Sequence, residues 1–245
     1  MKRFVAVLVF FLFYSAAFSQ SPVSTRLSAG VDLGAAFDTK ILSPSLTYYQ
    51  LLHVDQRKVF QIGWTFKFQT FYNQNSTDYY TAPARFSRGE AGLGSLSRAV
   101  IPANLDTLTM PRTTLTSGNF GLRVQVRLGP VELGASADIL GIGVGRGRYG
   151  LYRASQSADS LNLHRSDQYA QPQRLNMRLL GDNNRGFLTT EMYARLNFHR
   201  RVAAKIGYQW LTAEYRTTNK LVDDNRRFRH RYAMPYVALT FPIFR

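Results

Sequence analysis

Hydrophobic and polar residues alternate one by one along much of this chain. From Leu27 to Phe37 the odd positions are Leu27, Ala29, Val31, Leu33, Ala35 and Phe37, with Ser28, Gly30, Asp32 and Gly34 between them. From Phe60 to Phe68 every even residue is apolar, facing Gln61, Gly63, Thr65 and Lys67. Phe120–Leu128 repeats this against Gly121, Arg123, Gln125 and Arg127, and Val131–Ile139 against Glu132, Gly134, Ser136 and Asp138. Leu188–Phe198 sets Met192, Ala194, Leu196 and Phe198 against Glu191, Tyr193, Arg195 and Asn197; Val202–Trp210 sets its even residues against Lys205, Gly207 and Gln209. A period of two puts successive side chains on opposite faces, so these segments are strands. Residues 42–52, interrupted by Pro44, and Phe228–Phe244 bring the count to eight. Parity flips at Leu140, where Leu140, Ile142 and Val144 continue the apolar face. A second flip is expected near Pro235, because Arg229 and Arg231 share parity with Val237, Leu239 and Phe241. One extra residue in a strand produces such a flip.

The connections alternate in length. Residues 38–41, 53–58, 129–130 and 199–201 are short and 217–227 intermediate, whereas 73–118 and 141–186 have 46 residues each. A compact soluble domain rarely carries two such irregular loops. An outer-membrane barrel does, with short turns on the periplasmic side and long loops outside. Its faces are also inverted relative to a soluble sandwich, apolar outward and polar inward. The polar face here carries both signs: Asp32, Lys67, Arg123, Arg127, Glu132, Asp138, Glu191, Arg195 and Lys205. Such a set suits a narrow lumen filled with ion pairs. Aromatic residues near strand ends (Tyr48/Tyr49, Phe71/Tyr72, Tyr208/Trp210, Tyr232/Tyr236) read as interfacial girdles. The expected fold is therefore all-β, a closed antiparallel transmembrane barrel of eight strands. Hidden hairpins in the long loops would make ten. The TLTSGNF and LNMRLL stretches are expected strand extensions above the membrane.

Composition narrows the setting. Lys2 and Arg3, the apolar run Phe4–Tyr14, and Ala17 and Ser19 before Gln20 have the form of a cleaved signal peptide, residues 1–19, ahead of a single barrel domain, 20–245. Eleven apolar residues are about half of what a helix needs to span a bilayer, and no later run approaches that length. The chain has no cysteine, which excludes disulfides and thiolate sites. Its net charge of +16, lowered to +14 by loss of Lys2 and Arg3, would point to nucleic acid in a cytosolic protein. In an exported chain that partner is not expected.

The chain resembles the small eight-stranded bacterial outer-membrane barrel families, such as the OmpA transmembrane domain and OmpX. The Ser-Gln junction and the terminal YVALTFPIFR resemble exported barrels of Bacteroidetes-type bacteria. The last strand, with penultimate Phe244, is similar to the signal read by the barrel-assembly machinery; Arg245 after the aromatic is a departure. The resemblance implies outer-membrane lipid and lipopolysaccharide as surroundings and transfers no functional residue.

Candidate chemistry is sparse. The GIGVGRG stretch at 141–147 lacks the helix and Lys-Ser/Thr of a phosphate loop and reads as a glycine-lined strand. His53, His164, His199 and His230 have no metal spacing, so no metal and no cofactor is expected. His164 and Ser166 form an H-x-S pair faintly like that of lipid A deacylases, but inside a polar loop. Glu132, Asp138 and Glu191 suit lumen salt bridges better than an acid pair for hydrolysis. The basic excess is 25 Arg against 6 Lys. Arg pairs bidentately with carboxylate and phosphate. In loop 141–186, Arg146, Arg148, Arg153, Arg165, Arg174, Arg178 and Arg185 outnumber Asp159, Asp167 and Asp182. The first six are the candidate contacts to an anionic lipid, glycan or partner, against the plainer alternative of a solvated charged face. The expected function is a non-enzymatic platform acting through the long loops, alone or as a subunit of a larger outer-membrane complex with other surface proteins. The alternatives are a small transport channel, a lipid A-modifying enzyme and a soluble periplasmic β-protein.

Overall fold

The structure, a computed structural model, describes residues 26–90, 92–155, 165–179, 183–199, 201–221 and 224–244; the signal segment and His164 lie outside them. The described strands are β1 (Leu27–Asp38), β2 (Ile41–His53), β3 (Phe60–Asn73), β4 (Thr77–Thr81), β5 (Thr107–Met110), β6 (Thr113–Leu128), β7 (Val131–Gly145), β8 (Arg148–Arg153), β9 (Arg165–Pro172), β10 (Leu175–Met177), β11 (Leu188–His199), β12 (Val202–Thr217) and β13 (Arg227–Phe244). One short helix, α1 (Ala84–Ser87), follows β4. All thirteen strands belong to one antiparallel sheet, more than the eight or ten expected from the alternation.

The pairing explains the difference. β1, β2, β3, β6, β7, β11, β12 and β13 pair in that cyclic order, and β13 returns to β1. A second cycle shares two of these strands. β13 also pairs with β4, β4 with β5, β5 with β8, β8 with β9, and β9 with β12. The two long connections are thus not irregular. They supply β4, β5, β8, β9 and β10, and their ends belong to β6, which starts at Thr113, and β7, which runs to Gly145. A small six-stranded ring sits on the loop end of the larger barrel, while β10 pairs with the upper part of β7.

The outer wall of the larger barrel is apolar. Leu33, Leu46, Phe66, Phe68, Leu122, Leu196, Ile206 and Leu239 are exposed. At about 3.3 Å per residue and a tilt of about 40°, the ten residues from Phe60 to Gln69 cover the ~25 Å of a barrel's lipid band. The girdle assignment needs correction. Tyr72, Tyr208 and Trp210 face outward, but Tyr49, Phe71, Tyr232 and Tyr236 are buried inside. They sit at the parity of the polar face.

The pairing accounts for both expected irregularities of register. Phe120 faces Leu140 and Gly121 faces Asp138, so Ile139 is the extra residue that flips β7. Near Pro235 there is no bulge. β12 and β13 stay in register from Ala203↔Thr240 to Arg216↔Arg227. Arg231 is exposed on the same side as Val237 and Leu239. It lies beyond the apolar stretch of the outer wall.

The short-turn end is built by local hydrogen bonding. Between β2 and β3, Asp55 accepts the Val59 N–H (3.0 Å) and the Phe60 N–H (2.7 Å), which hold its carboxyl below the usual range.

Candidate functional site

The inward positions of the larger barrel fall into two layers. The lower layer is ionic. Lys67 Nζ lies 2.6 Å from Glu191 Oε1 and 3.8 Å from Asp138 Oδ1. Lys205 Nζ bridges Glu191 (2.9 Å) and Asp32 (3.2 Å). Asp32 also takes Arg123 at 2.9 Å and the Thr240 hydroxyl at 2.6 Å. Glu132 pairs with Arg195 and, at 2.8 Å, with Arg127 toward the turn end. Four buried carboxylates thus meet four buried cations, with Arg127 at the rim. Glutamines continue the network: Gln69 donates to Gln209 (2.8 Å), and Gln209 donates to Glu191 (3.0 Å). A buried charge is tolerated only when paired and hydrogen-bonded in this way.

Tyrosine rings close the remaining space. Arg123 stacks over Tyr49 at 4.1 Å, and Lys205 lies 4.0 Å above Tyr193. These rings lie flat because glycine is beneath them. Gly30 pairs with Tyr49 and Gly134 with Tyr193, and a Cβ on either glycine would collide with the ring.

The upper layer is apolar. Phe71, Phe187, Leu115, Leu211, Ala213, Tyr232 and Met234 form one buried cluster with Tyr79, Leu108, Met110, Tyr152, Ala170, Tyr215 and Phe228 of the small ring. Phe71 packs 4.8 Å from Tyr232 and 6.0 Å from Phe187. Hydroxyls stitch the two rings: Asn73 Nδ2 donates to Tyr232 (3.1 Å), and the Tyr79 and Tyr232 hydroxyls are 3.1 Å apart. Burial pushes both phenols up in pKa. His230 stands 2.8 Å from the Asp78 carbonyl, its pKa lowered by burial. Asn176 of β10 and Phe187 lie over the mouth. Asn176 donates to Asn119 (2.8 Å), and Asn119 donates to the Phe187 carbonyl (3.0 Å).

Of the six loop arginines singled out from sequence, Arg178 and Arg153 are spent on structure. Arg178 donates to the Asp138 carbonyl (2.6 Å), the Thr189 carbonyl (3.0 Å) and the Thr190 hydroxyl (2.9 Å). Arg153 donates to Thr109 (2.8 Å) beside Asp78. Arg148 is half-buried at the inward parity of β8, its Nε buried without a hydrogen-bond partner. Arg146 is exposed in the β7–β8 turn. Arg165 pairs through its backbone with Arg153, and its side chain lies outside the described ones. Ser166 accepts a hydrogen bond from Gln168 (3.0 Å).

Arg174 belongs to a feature that the sequence did not mark. Two adjoining hollows at the loop end share Gln173, Arg216 and Arg226, and together bring in Arg85, Arg174 and Arg185. The walls come from Arg85 and Phe86 of α1, from Gln173, Arg174, Asn183 and Arg185, and from Arg216 and Asp224–Arg227 at the facing ends of β12 and β13. Arg227 beside them is neutralised by Glu214 through bonds of 2.7 and 3.0 Å. Asp224 at the rim turns to Lys220 (3.1 Å). Among the described residues, no carboxylate pairs with Arg85, Arg174, Arg185, Arg216 or Arg226. No group of three or more His, Cys, Asp or Glu that would hold a metal occurs among them either.

No family model and no curated protein sequence matches the chain. Among solved structures it is similar to Neisserial surface protein A, at 10% identity over 88% of this chain and 94% of that one, with a TM-score of 0.35. It is also similar to a Pseudomonas aeruginosa FadL homologue, at 12% identity over 90% and 76%, with a TM-score of 0.25.

Proposed function

We propose that this chain is an outer-membrane β-barrel of the small, eight-stranded kind, a non-enzymatic surface platform whose lumen is sealed. The observation that carries the reading is the lumen itself, where a charge-balanced ionic layer lies beneath an aromatic plug. An eight-stranded interior is just wide enough to be filled by side chains. Solute passage would have to break both layers. The apolar outer wall and closed pairing support the membrane setting, because lipid satisfies no open sheet edge. The ordered six-stranded ring on the loop side supports the platform role, since it presents a fixed surface to partners or to lipopolysaccharide. Insertion by the barrel-assembly machinery belongs to the same reading.

Planar-bilayer recording tests it. The purified protein should give no sustained conductance steps, and gradient fractionation should put it with outer membranes. Regular open steps would replace the platform with the small channel. Extraction into buffer without detergent would remove the barrel from the membrane altogether.

A further inference from the structure

We propose that the arginine-lined groove at the loop end binds a phosphoryl anion, a phosphate mono- or diester group carried by a lipid headgroup or by a soluble phosphorylated saccharide. This deepens the platform reading by naming what the platform holds. It rests on that reading only for the side of the membrane on which the ligand is met.

Five arginines from segments far apart in sequence line the two hollows: Arg85 and Arg185 one, Arg174 the other, and Arg216 and Arg226 both. Like charges gathered in one hollow repel, at an effective dielectric of about 20 near a protein surface. Elsewhere in this chain such charges are matched by carboxylates, as in the lumen and at Arg227 with Glu214. In the groove the one described carboxylate of the lining besides the Arg227–Glu214 pair, Asp224 at the rim, pairs with Lys220 (3.1 Å) and not with these arginines. Arg226 is half-buried, and its Nε is buried without a hydrogen-bond partner. Arg85 lies 4.4 Å over the Phe86 ring, a cation–π contact at the wall of the groove. Guanidinium forks match phosphate oxygens bidentately. A carboxylate has two oxygens and one charge, enough for one fork. A phosphate monoester presents three oxygens and nearly two charges, which suits several forks at once.

The height of the groove fits a headgroup or the sugar just beyond it. Arg216 follows the outward Trp210 by six residues along β12. At about 3.3 Å per residue and a tilt of about 40°, that is about 15 Å above the aromatic edge of the lipid band.

The test uses the full chain in detergent, titrated calorimetrically with inorganic pyrophosphate. Saturable binding is expected, weakened about 100-fold in the Arg216→Gln/Arg226→Gln double variant, at about tenfold for each lost fork. Arg98→Gln is the control. It removes the same kind of charge outside the groove, from an exposed pair with Glu90, and should leave binding within about twofold of wild type. Slower gel migration on heating shows that each variant is folded. Phosphatidylcholine vesicles with lipid A or with dephosphorylated lipid A then separate the sources. Competition between lipid A and pyrophosphate assigns the site to a lipid headgroup; pyrophosphate binding without competition assigns it to a soluble saccharide, and both support the proposal. No saturable binding of pyrophosphate, or equal weakening in Arg98→Gln, overturns it. Because the titration is done in detergent, it can fail while the platform reading stands.

Discussion

Glu191 is the hub of the ionic layer, and replacing it tests whether the lumen is dry. The carboxylate accepts from Lys67 (2.6 Å), Lys205 (2.9 Å), Gln209 (3.0 Å) and Ser136 (3.3 Å), and its side chain is 1% exposed. Breaking a buried pair costs about 3–5 kcal/mol, because the partner charge stays buried. Glu191→Gln leaves two lysines, but Lys67 keeps Asp138 at 3.8 Å and Lys205 keeps Asp32 at 3.2 Å. The cost should therefore fall near the low end, about 3 kcal/mol. Lys67→Met should cost less, about 1–2 kcal/mol, since Glu191 keeps Lys205. Asp138 likewise keeps Asn119 and the Thr189 amide and hydroxyl. Reversible urea unfolding from lipid vesicles measures both, with Trp64 and Trp210 on the outer wall as fluorescence reporters. The double variant closes the cycle, with a coupling above about 1 kcal/mol expected. A Glu191→Gln cost and a coupling both within about 0.5 kcal/mol of zero would mean hydrated lumen charges, and the sealed-lumen argument would fall with them.

Other perturbations read other parts of the wall. Ile206→Arg on the lipid face should cost about 2–4 kcal/mol, while Thr218→Arg, exposed above the wall, should cost less than about 0.5 kcal/mol in the same assay. Gly134→Val should displace the Tyr193 ring and cost about 1–3 kcal/mol as an overpacked site; an unfolding midpoint equal to wild type would show that the ring does not need the glycine. Tyr152→Ala empties the core of the small ring, where Tyr152 packs against Phe228 and donates to Asp106 (3.0 Å). It should cost that ring about 3–5 kcal/mol and expose loop cleavage sites to trypsin while the gel mobility of the unheated barrel persists. The small ring should also loosen in acid. His230 has a lowered pKa in the fold, so the unfolded chain binds the extra proton first, and stability falls as pH drops below about 6.5; trypsin sensitivity should rise there in wild type but not in His230→Gln.

The alternation made the wall legible because a period of two survives any pairing partner. The charged parity of β1, β3, β6, β7, β11 and β12 marked Asp32, Lys67, Arg123, Glu132, Glu191 and Lys205 on sight, and the flip at Ile139 was visible as a change of phase. Two expectations fail, for different reasons. The flip expected near Pro235 needs Arg229 and Arg231 to face inward, whereas Arg231 is exposed on the outer face beyond the apolar stretch of the wall. Phe71, Tyr232 and Tyr236 were assigned outward because they are aromatic, although their parity put them inside. The small ring left no comparable trace. Its strands are short, and β4 meets β13 through Thr81 and Phe228, 147 residues apart in sequence. The arginine groove is subtler still, since Arg85, Arg185 and Arg216 share no local pattern and converge only through that ring.

The two layers of the interior follow from what lies outside them. Along β12 the inward residues run Lys205, Gln209, Leu211, Ala213 and Tyr215, from charged to apolar. Along β13 they run from Thr240 through Tyr236, Met234 and Tyr232 to Phe228. Where the outer wall is apolar, the interior is ionic; where the outer wall is wet, the interior is a hydrophobic core. In lipid, an apolar side chain gains little by turning inward, so hydrogen bonds and ion pairs give the wall its fixed sidedness. Above the band, water is outside, and burying apolar surface becomes the favourable term. One pair of strands therefore supports two rings with opposite internal chemistry, and the change of chemistry marks the height at which the apolar outer wall ends. The arginine groove lies above that height, at the ends of the same two strands, where an anion can reach it from the surface without entering either interior.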